Sequence, residues 1–164
     1  MDPLLLILRL VHVALGVFWA GTLIFTAVFL TPSVRDAGPD GARVIGAMLR
    51  RRFFDVMPAA AFLTILSGLW LYWRVSGGLN PTYVWSRTGV AFGLGGLAAI
   101  VAFVIGVAVM RPATLRAAAL LQSAEREAQQ ATIQALRQRA AAAGRVVATL
   151  LTLAVVAMAL GRYL

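Results

Sequence analysis

The sequence contains no cysteine and no lysine, and among its 164 residues it has one histidine and six acidic residues. The absence of cysteine excludes disulfide bonds, thiolate metal sites, iron–sulfur clusters and c-type haem attachment. Asp55 lies at the edge of an apolar run, and Glu125 and Glu127 lie in a polar segment. Because proton relays need several ionisable groups within the membrane, the sequence gives little support to proton-coupled transport.

Hydrophobic residues, by contrast, make up 61% of the chain, and its mean hydropathy is +0.86. Soluble domains are nearer to half apolar. The apolar runs are about 20 residues long, the length at which a helix crosses a hydrocarbon layer of roughly 30 Å. The sequence therefore predicts an all-α integral membrane protein, a four-helix bundle that forms one domain over residues 1–164. The predicted spans cover residues 10–30, 56–72, 88–110 and 146–164.

Prolines are expected to mark the ends of these spans. The first span should stop at Thr31-Pro32 and the third at Arg111-Pro112, since proline disrupts a helix interior. Pro58 is expected in the first turn of the second span, where the N–H that it lacks would have no partner. The apolar N-terminal run is longer than the core of a signal peptide, so we expect a retained anchor.

Aromatic and arginine residues cluster at opposite ends of the spans. The amphipathic rings at one end are typical of the headgroup layer of a bilayer. They belong to Trp70, Tyr72, Trp73, Tyr83, Trp85 and Tyr163. Most arginines lie in the two long connections, which predicts that these connections are cytoplasmic and that both termini lie outside. The net charge of +9 thus does not form a basic face of the kind that binds nucleic acid.

The first long connection includes a predicted short amphipathic helix, residues 41–52. Its apolar side carries Val44, Ile45, Met48 and Leu49. Arg50, Arg51 and Arg52 follow, and they could contact anionic lipid headgroups at about 1 kcal/mol each. The alternative is an ordinary positively charged loop. Asp55 is expected to pair with one of these three arginines.

The second long connection predicts a cytoplasmic helix over residues 113–143, because it is rich in Ala, Leu, Gln, Glu and Arg and has neither Gly nor Pro before residue 144. Such a helix would be about 45 Å long and would run with little break into the fourth span. Steps of three and four residues define one stripe on it. The stripe consists of Leu121, Ala124, Ala128, Ala131 and Ala135. It is expected to pack against this chain's own inner loop or against another subunit.

The third span carries small residues that would let another helix approach closely. These residues are Gly89, Gly93, Ala98, Ala102 and Gly106. The third span is therefore the expected centre of the bundle or of an interface with other membrane subunits or a second copy. Its Gly-Leu-Gly-Gly run is not a nucleotide-binding loop, because it lies inside an apolar span with no preceding strand.

His12 lies near the start of the first span, and Gly16 and Trp19 share its helical face at about 100° per residue. An imidazole beside a gap and an aromatic wall is suited to binding a haem, another tetrapyrrole or a metal ion, with His12 as the ligand. The alternative is a histidine that bonds to a carbonyl or hydroxyl on a neighbouring helix, or that meets water near the outer interface.

The first half of the chain resembles a group of four-helix bacterial membrane proteins. The resemblance is carried by Leu10-Val11-His12-Val13-Ala14, by Phe18-Trp19-Ala20-Gly21 and by Leu66-Ser67-Gly68-Leu69-Trp70. The group includes the copper-resistance D family and the HemJ-type protoporphyrinogen oxidases. The resemblance implies a bacterial inner-membrane bundle, with haem b at the position of His12 in some members. The HemJ-type activity also relies on a membrane lysine, which this chain lacks.

Two functions follow as expectations. The first is a non-catalytic accessory or scaffolding subunit of a larger membrane complex, because one histidine and no buried carboxylate offer few groups for catalysis. The second is a redox protein that binds haem b, another tetrapyrrole or a metal through His12.

Overall fold

The computed structural model describes residues 2–123 and 127–164, which are dominated by four long helices. Each of the four is long and apolar enough to cross a membrane, which confirms the predicted all-helical fold at that level. They cover Pro3–Asp36, Phe53–Val75, Arg87–Gln122 and Gln130–Tyr163. Two shorter helices lie in the connections, Pro39–Arg50 in the first and Pro81–Val84 in the second.

The four long helices run alternately up and down. One end of the bundle holds Pro3, residues 75–87 and Gly161, and we call it the termini end. The other holds residues 36–53, 111–123 and 127–145, and we call it the Arg-rich end. The first helix packs against the second and the fourth, and the third packs most extensively against the fourth. The shared core is apolar and is formed by Trp19, Ala20, Leu23, Ala61, Ala102, Val147 and Leu151.

Two of the long helices continue past the prolines that were expected to end them. In the first helix a π-helical turn, Thr26–Leu30, precedes Pro32, and the helix ends at Asp36. In the third, the π-helical turn Gly106–Met110 precedes Pro112. In each π-helical turn a backbone N–H bonds to the carbonyl five residues earlier instead of four. The wider backbone leaves room for the proline ring, so the helix continues past it. The expected ends at Leu30 and Met110 are therefore wrong.

The second helix begins at Phe53, before the predicted start at residue 56. Pro58 consequently lies inside the helix and not in its first turn. An ordinary residue at position 58 would donate its N–H to the carbonyl of Phe54, four residues earlier. Pro58 cannot do so, and the Phe54 carbonyl therefore needs a donor from elsewhere.

The predicted single helix over residues 113–143 is wrong. The third helix ends at Gln122, Ser123 is extended with ψ of 157°, and the fourth helix starts at Gln130 and continues unbroken to Leu160. The chain thus folds back into a helical hairpin whose two arms contact each other. The hairpin leaves Ile133 with 0% of its surface exposed. A single helix in water would have left this side chain uncovered, and its burial favours the hairpin.

The predicted alanine stripe is consequently divided. Leu121 is half-buried near the end of the third helix, and Ala128 is exposed in the turn that precedes the fourth. Ala124 lies outside the described residues. Ala131 and Ala135 are both exposed on the fourth helix, away from the buried side of the hairpin. The stripe does not pack against this chain's own first connection as a unit.

Candidate functional site

His12 connects the first helix to the second. Its Nδ1 atom lies 2.9 Å from the carbonyl oxygen of Thr64 and 3.5 Å from the hydroxyl of Ser67. Because a carbonyl only accepts hydrogen bonds, Nδ1 carries the proton and donates it to Thr64. This contact matches the alternative of a histidine bonded to a carbonyl on a neighbouring helix.

The recess that holds the imidazole is formed by Gly68, a residue that the sequence interpretation did not single out as part of the site. A Cβ atom at position 68 would lie 2.7 Å from Cε1 of His12. The space beside Gly16, expected to admit a ligand, is instead closed by the methyl group of Thr64, 3.4 Å from the Cβ position. Gly16 and Gly68 therefore serve to bring the two helices together.

The hydrogen bond through Nδ1 leaves the second ring nitrogen of His12, Nε2, available. In a neutral imidazole whose Nδ1–H bonds to a carbonyl, Nε2 keeps its lone pair, the arrangement found in most metal-bound histidines. Within the part of the chain that the structure describes, no hydrogen bond reaches Nε2 of His12. The same residues contain no group of three His, Cys, Asp or Glu side chains placed to hold a metal. His12 can therefore provide one ligand, through Nε2, to a metal or haem that this chain does not itself supply.

Trp19 does not stand beside His12. It lies two helical turns, about 10 Å, further along the first helix, and only 3% of its surface is exposed. It lines an apolar cavity of about 30 Å³ near the Arg-rich end. Sites for drug-sized ligands are roughly 300 Å³ or larger. The stripe of His12, Gly16 and Trp19 therefore does not enclose a slot for a tetrapyrrole.

Arg111 supplies the hydrogen-bond donor that Pro58 lacks. The sequence interpretation placed Arg111 only among the loop arginines. Its Nε atom donates to the carbonyl of Phe54 at 2.9 Å. A terminal nitrogen of the same guanidinium lies 2.7 Å from a carboxylate oxygen of Asp55. The expectation that Asp55 pairs with Arg50, Arg51 or Arg52 is therefore wrong. Arg111 reaches Asp55 because the third helix continues past its π-helical turn and brings position 111 beside the start of the second.

Arg50, Arg51 and Arg52 are exposed at the Arg-rich end. The ion pairs among the described residues join Arg43 to Asp40, Arg74 to Asp2 and Arg111 to Asp55, so none uses these three arginines. Arg52 is the residue before the second helix, has a φ of +56°, and offers no side-chain cap. These three arginines thus lie beside a helix start whose acidic residue in the first turn, Asp55, pairs with Arg111 instead.

The small residues of the third helix do not share one interface. Ala102 is fully buried in the core, and Gly89 is buried against the carbonyl of Tyr83 in the preceding turn. A Cβ atom at Gly93 would meet the hydroxyl of Tyr72 at 3.6 Å, whereas one at Gly106 would meet nothing within 4 Å. Ala98 is only half-buried. Residues four apart lie near one face of a helix, but Gly93 and Ala98 are five residues apart. The predicted residues before and after this step therefore lie on different faces of the third helix.

The close contact between the third and fourth helices occurs at Gly95, a small residue of the Gly-Leu-Gly-Gly run. A Cβ atom there would lie 3.0 Å from the Cβ of Ala157 and 3.4 Å from the carbonyl oxygen of Ala154. Small residues on both helices allow this approach.

No protein-family model, curated protein or solved structure matches the chain. The resemblance to the copper-resistance D and HemJ-type group stays a prediction.

Proposed function

We propose that this chain is a non-catalytic subunit of a multi-pass membrane assembly, held in the bilayer by its four long helices. In this proposal the Arg-rich end faces the cytoplasm of a bacterium and both termini lie outside. The helical hairpin then projects from the membrane as the docking element for another subunit or a second copy. The positive-inside distribution of arginine supports the orientation.

The observation that carries this proposal is the exposed alanine face of the hairpin. Ile133 and Ala143 form its buried side, whereas Ala131 and Ala135 are exposed on the other side. Alanine has little side-chain entropy to lose and lets a partner helix approach closely. The hairpin is already packed internally, so a partner helix would find a preformed surface.

The test is a pair of substitutions on the same helix. We expect Ala131→Glu with Ala135→Glu to abolish co-purification of the partner from native membranes, because two charges would be buried without counter-ions. Gln130→Glu is the matched control, since Gln130 is exposed on the same helix but points about 100° away from Ala131 and about 140° away from Ala135. Equal retention of co-purifying subunits, or of the self-associated state, in both variants would contradict the proposal.

A second candidate function is favoured by the hydrogen bond between His12 and Thr64, which leaves Nε2 free to bind a haem or another metal group. Because the described residues around His12, Gly16 and Trp19 enclose no slot for it, such a group would have to lie at the open face of the first and second helices. The visible absorption spectrum of the native protein decides between the candidates. A Soret band that disappears in His12→Ala supports this second function, and a colourless protein that retains its partner supports the first.

A further inference from the structure

The first and third helices share an unusual feature at the same place. Each contains a five-residue π-helical turn, Thr26–Leu30 in the first and Gly106–Met110 in the third. Each turn is followed by one residue and then by a proline, Pro32 or Pro112. A single shift of 80 positions therefore superimposes both turns and both prolines. Because π-helical turns are rare, two of them at one spacing from a proline indicate that the two helices are equivalent.

The same shift relates two rings that lie against glycines. His12 and Phe92 are also 80 positions apart, and both are half-buried. A Cβ atom at Gly68 would lie 2.7 Å from Cε1 of His12, and a Cβ atom at Gly161 would lie 2.7 Å from Cε1 of Phe92. Each ring therefore fills a glycine recess on the helix that follows it in the chain.

The second and fourth helices are related by a shift of 93 positions, which superimposes the two recess glycines and also Thr64 on Ala157. Both of these residues contact a glycine of the preceding helix. The methyl group of Thr64 lies 3.4 Å from the Cβ position of Gly16, and the Cβ atom of Ala157 lies 3.0 Å from that of Gly95. Gly95 is one position before the residue equivalent to Gly16, so the two contacts occur at nearly the same level.

The packing of the four helices follows the same pattern. The first helix packs against the second and the third against the fourth, and these are the most extensive contacts of the bundle. The smaller contacts, of the second helix with the third and of the fourth with the first, also correspond. Both helix pairs start at the termini end and return to it. A two-fold axis along the bundle would therefore exchange them, the relation found between parallel repeats in membrane proteins.

We propose that the chain is an internal duplication of one two-helix unit, with residues 3–75 and 87–163 as its two copies. In this arrangement His12 and Phe92 have equivalent roles, because each ring holds its own helix pair together by filling a glycine recess. The inference depends on the contacts between the helices. It does not depend on the proposed subunit role of the hairpin or on a group bound at His12.

Two departures from the equivalence occur together and support the duplication. Pro58 lies where the fourth helix has Leu151, and Arg111 lies where the first helix has Thr31. Proline removes a backbone N–H from its helix, and Arg111 donates to the carbonyl of Phe54 that this leaves without a donor. Leu151 keeps its N–H, so the equivalent contact needs no arginine at position 31. The two copies therefore differ at a proline and at the side chain that compensates for it.

Exchange of the rings tests the equivalence. If the recess at Gly68 accepts any flat ring, His12→Phe should lose less than about half as much melting temperature as His12→Ala, which leaves a cavity. Thermal unfolding in detergent measures both variants, and circular dichroism checks that they fold. Equal losses in His12→Phe and His12→Ala would overturn the proposal, because the hydrogen bond and not the ring would then hold the first pair.

The reciprocal exchange has a spectroscopic readout. The parent has a single histidine, whose Nδ1 donates to the carbonyl four residues before Gly68. In Phe92→His the new Nδ1 should donate to the equivalent carbonyl, that of Ala157. The nitrogen NMR shifts of the two imidazoles, recorded at alkaline pH where both rings are neutral, should then report two Nδ1–H tautomers.

Matched glycine variants of Phe92→His assign this second signal to the recess. Gly161→Ala places a Cβ atom in the recess and should abolish the second Nδ1–H signal, whereas Gly96→Ala, at a glycine with open space around it, should leave it unchanged. The proposal is overturned if Phe92→His does not fold. It is also overturned if the new imidazole takes the other tautomer, or if Gly161→Ala leaves its signal unchanged.

Discussion

The second helix meets its two neighbours in different ways. Against the first helix the contact is continuous, because His12 fills the recess at Gly68 and the methyl of Thr64 fills the space at Gly16. The contact between the second and third helices is instead held by hydrogen bonds near its two ends. An apolar cavity lies between these two helices, toward the Arg-rich end. Small residues that face each other let helix backbones approach, whereas bulky Phe and Met side chains keep them apart.

The largest expected effect follows from filling the recess at Gly68. Gly68→Leu would drive a side chain into the imidazole of His12, whose Cε1 would lie 2.7 Å from the new Cβ. Overpacking of this kind costs about 1–3 kcal/mol, and here the hydrogen bond from His12 to Thr64 would be lost as well. Thermal unfolding in detergent measures the effect. Gly96→Leu, at a glycine with open space around it, is the control and should melt close to the parent.

Arg111→Ala should have the next largest effect, because it leaves the Phe54 carbonyl without a donor. Loss of a hydrogen bond from a charged group costs about 1.5–3 kcal/mol. In a Pro58→Ala background the backbone N–H of residue 58 can bond to Phe54 as in an ordinary helix. Arg111→Ala should therefore cost much less there than in the parent.

This double-mutant cycle is measured by equilibrium unfolding of the four proteins. A coupling energy between positions 58 and 111 that is well above the experimental error supports the assigned role of Arg111. If Arg111→Ala costs the same with proline or alanine at position 58, the guanidinium does not replace the missing helical hydrogen bond.

Tyr72→Phe should have a smaller effect, about 0.5–1.5 kcal/mol, because it removes only the bond to the carbonyl of Gly89. It should also loosen the contact between the second and third helices near the termini end, which faster hydrogen exchange around Gly89 and Gly93 would report. Unchanged exchange in Tyr72→Phe would mean that this closure does not hold the helices together.

Asp55→Asn should have the smallest effect, about 0–1 kcal/mol, because the side chains of both Asp55 and Arg111 are substantially exposed. The effect should shrink further as salt screens the pair. A loss as large as that of Arg111→Ala would show that the ion pair, and not the bond to Phe54, is the main contribution of Arg111.

Hydrophobic patterning was sufficient to predict the four long helices, since each contains an apolar run of membrane-spanning length. It could not predict their ends, because π-helical turns allow the first and third helices to pass Pro32 and Pro112. The fold-back after Gln122 had only Ser123 as a local signal, and it depends on the burial of Ile133 between two helices.

The candidate site was predicted only in part. The apolar face shared by His12 and Trp19 follows from helical periodicity, and both residues do face the bundle. The recess at Gly68 and the reach of Arg111 to Phe54 depend on how helices distant in sequence align. Pro58 does indicate from the sequence that a carbonyl lacks its donor, once the helix is known to start at Phe53.

Disulfide trapping in this naturally cysteine-free chain tests the difference between the two contacts most directly. A Cβ atom at Gly16 would lie 3.4 Å from Cγ2 of Thr64, so a Cys pair at these two positions should approach the Cβ separation of roughly 4 Å that a disulfide needs. We predict rapid cross-linking of this pair under mild oxidation and none for a pair at Met57 and Val107, which line the cavity from opposite sides. Faster cross-linking of the second pair would contradict the account.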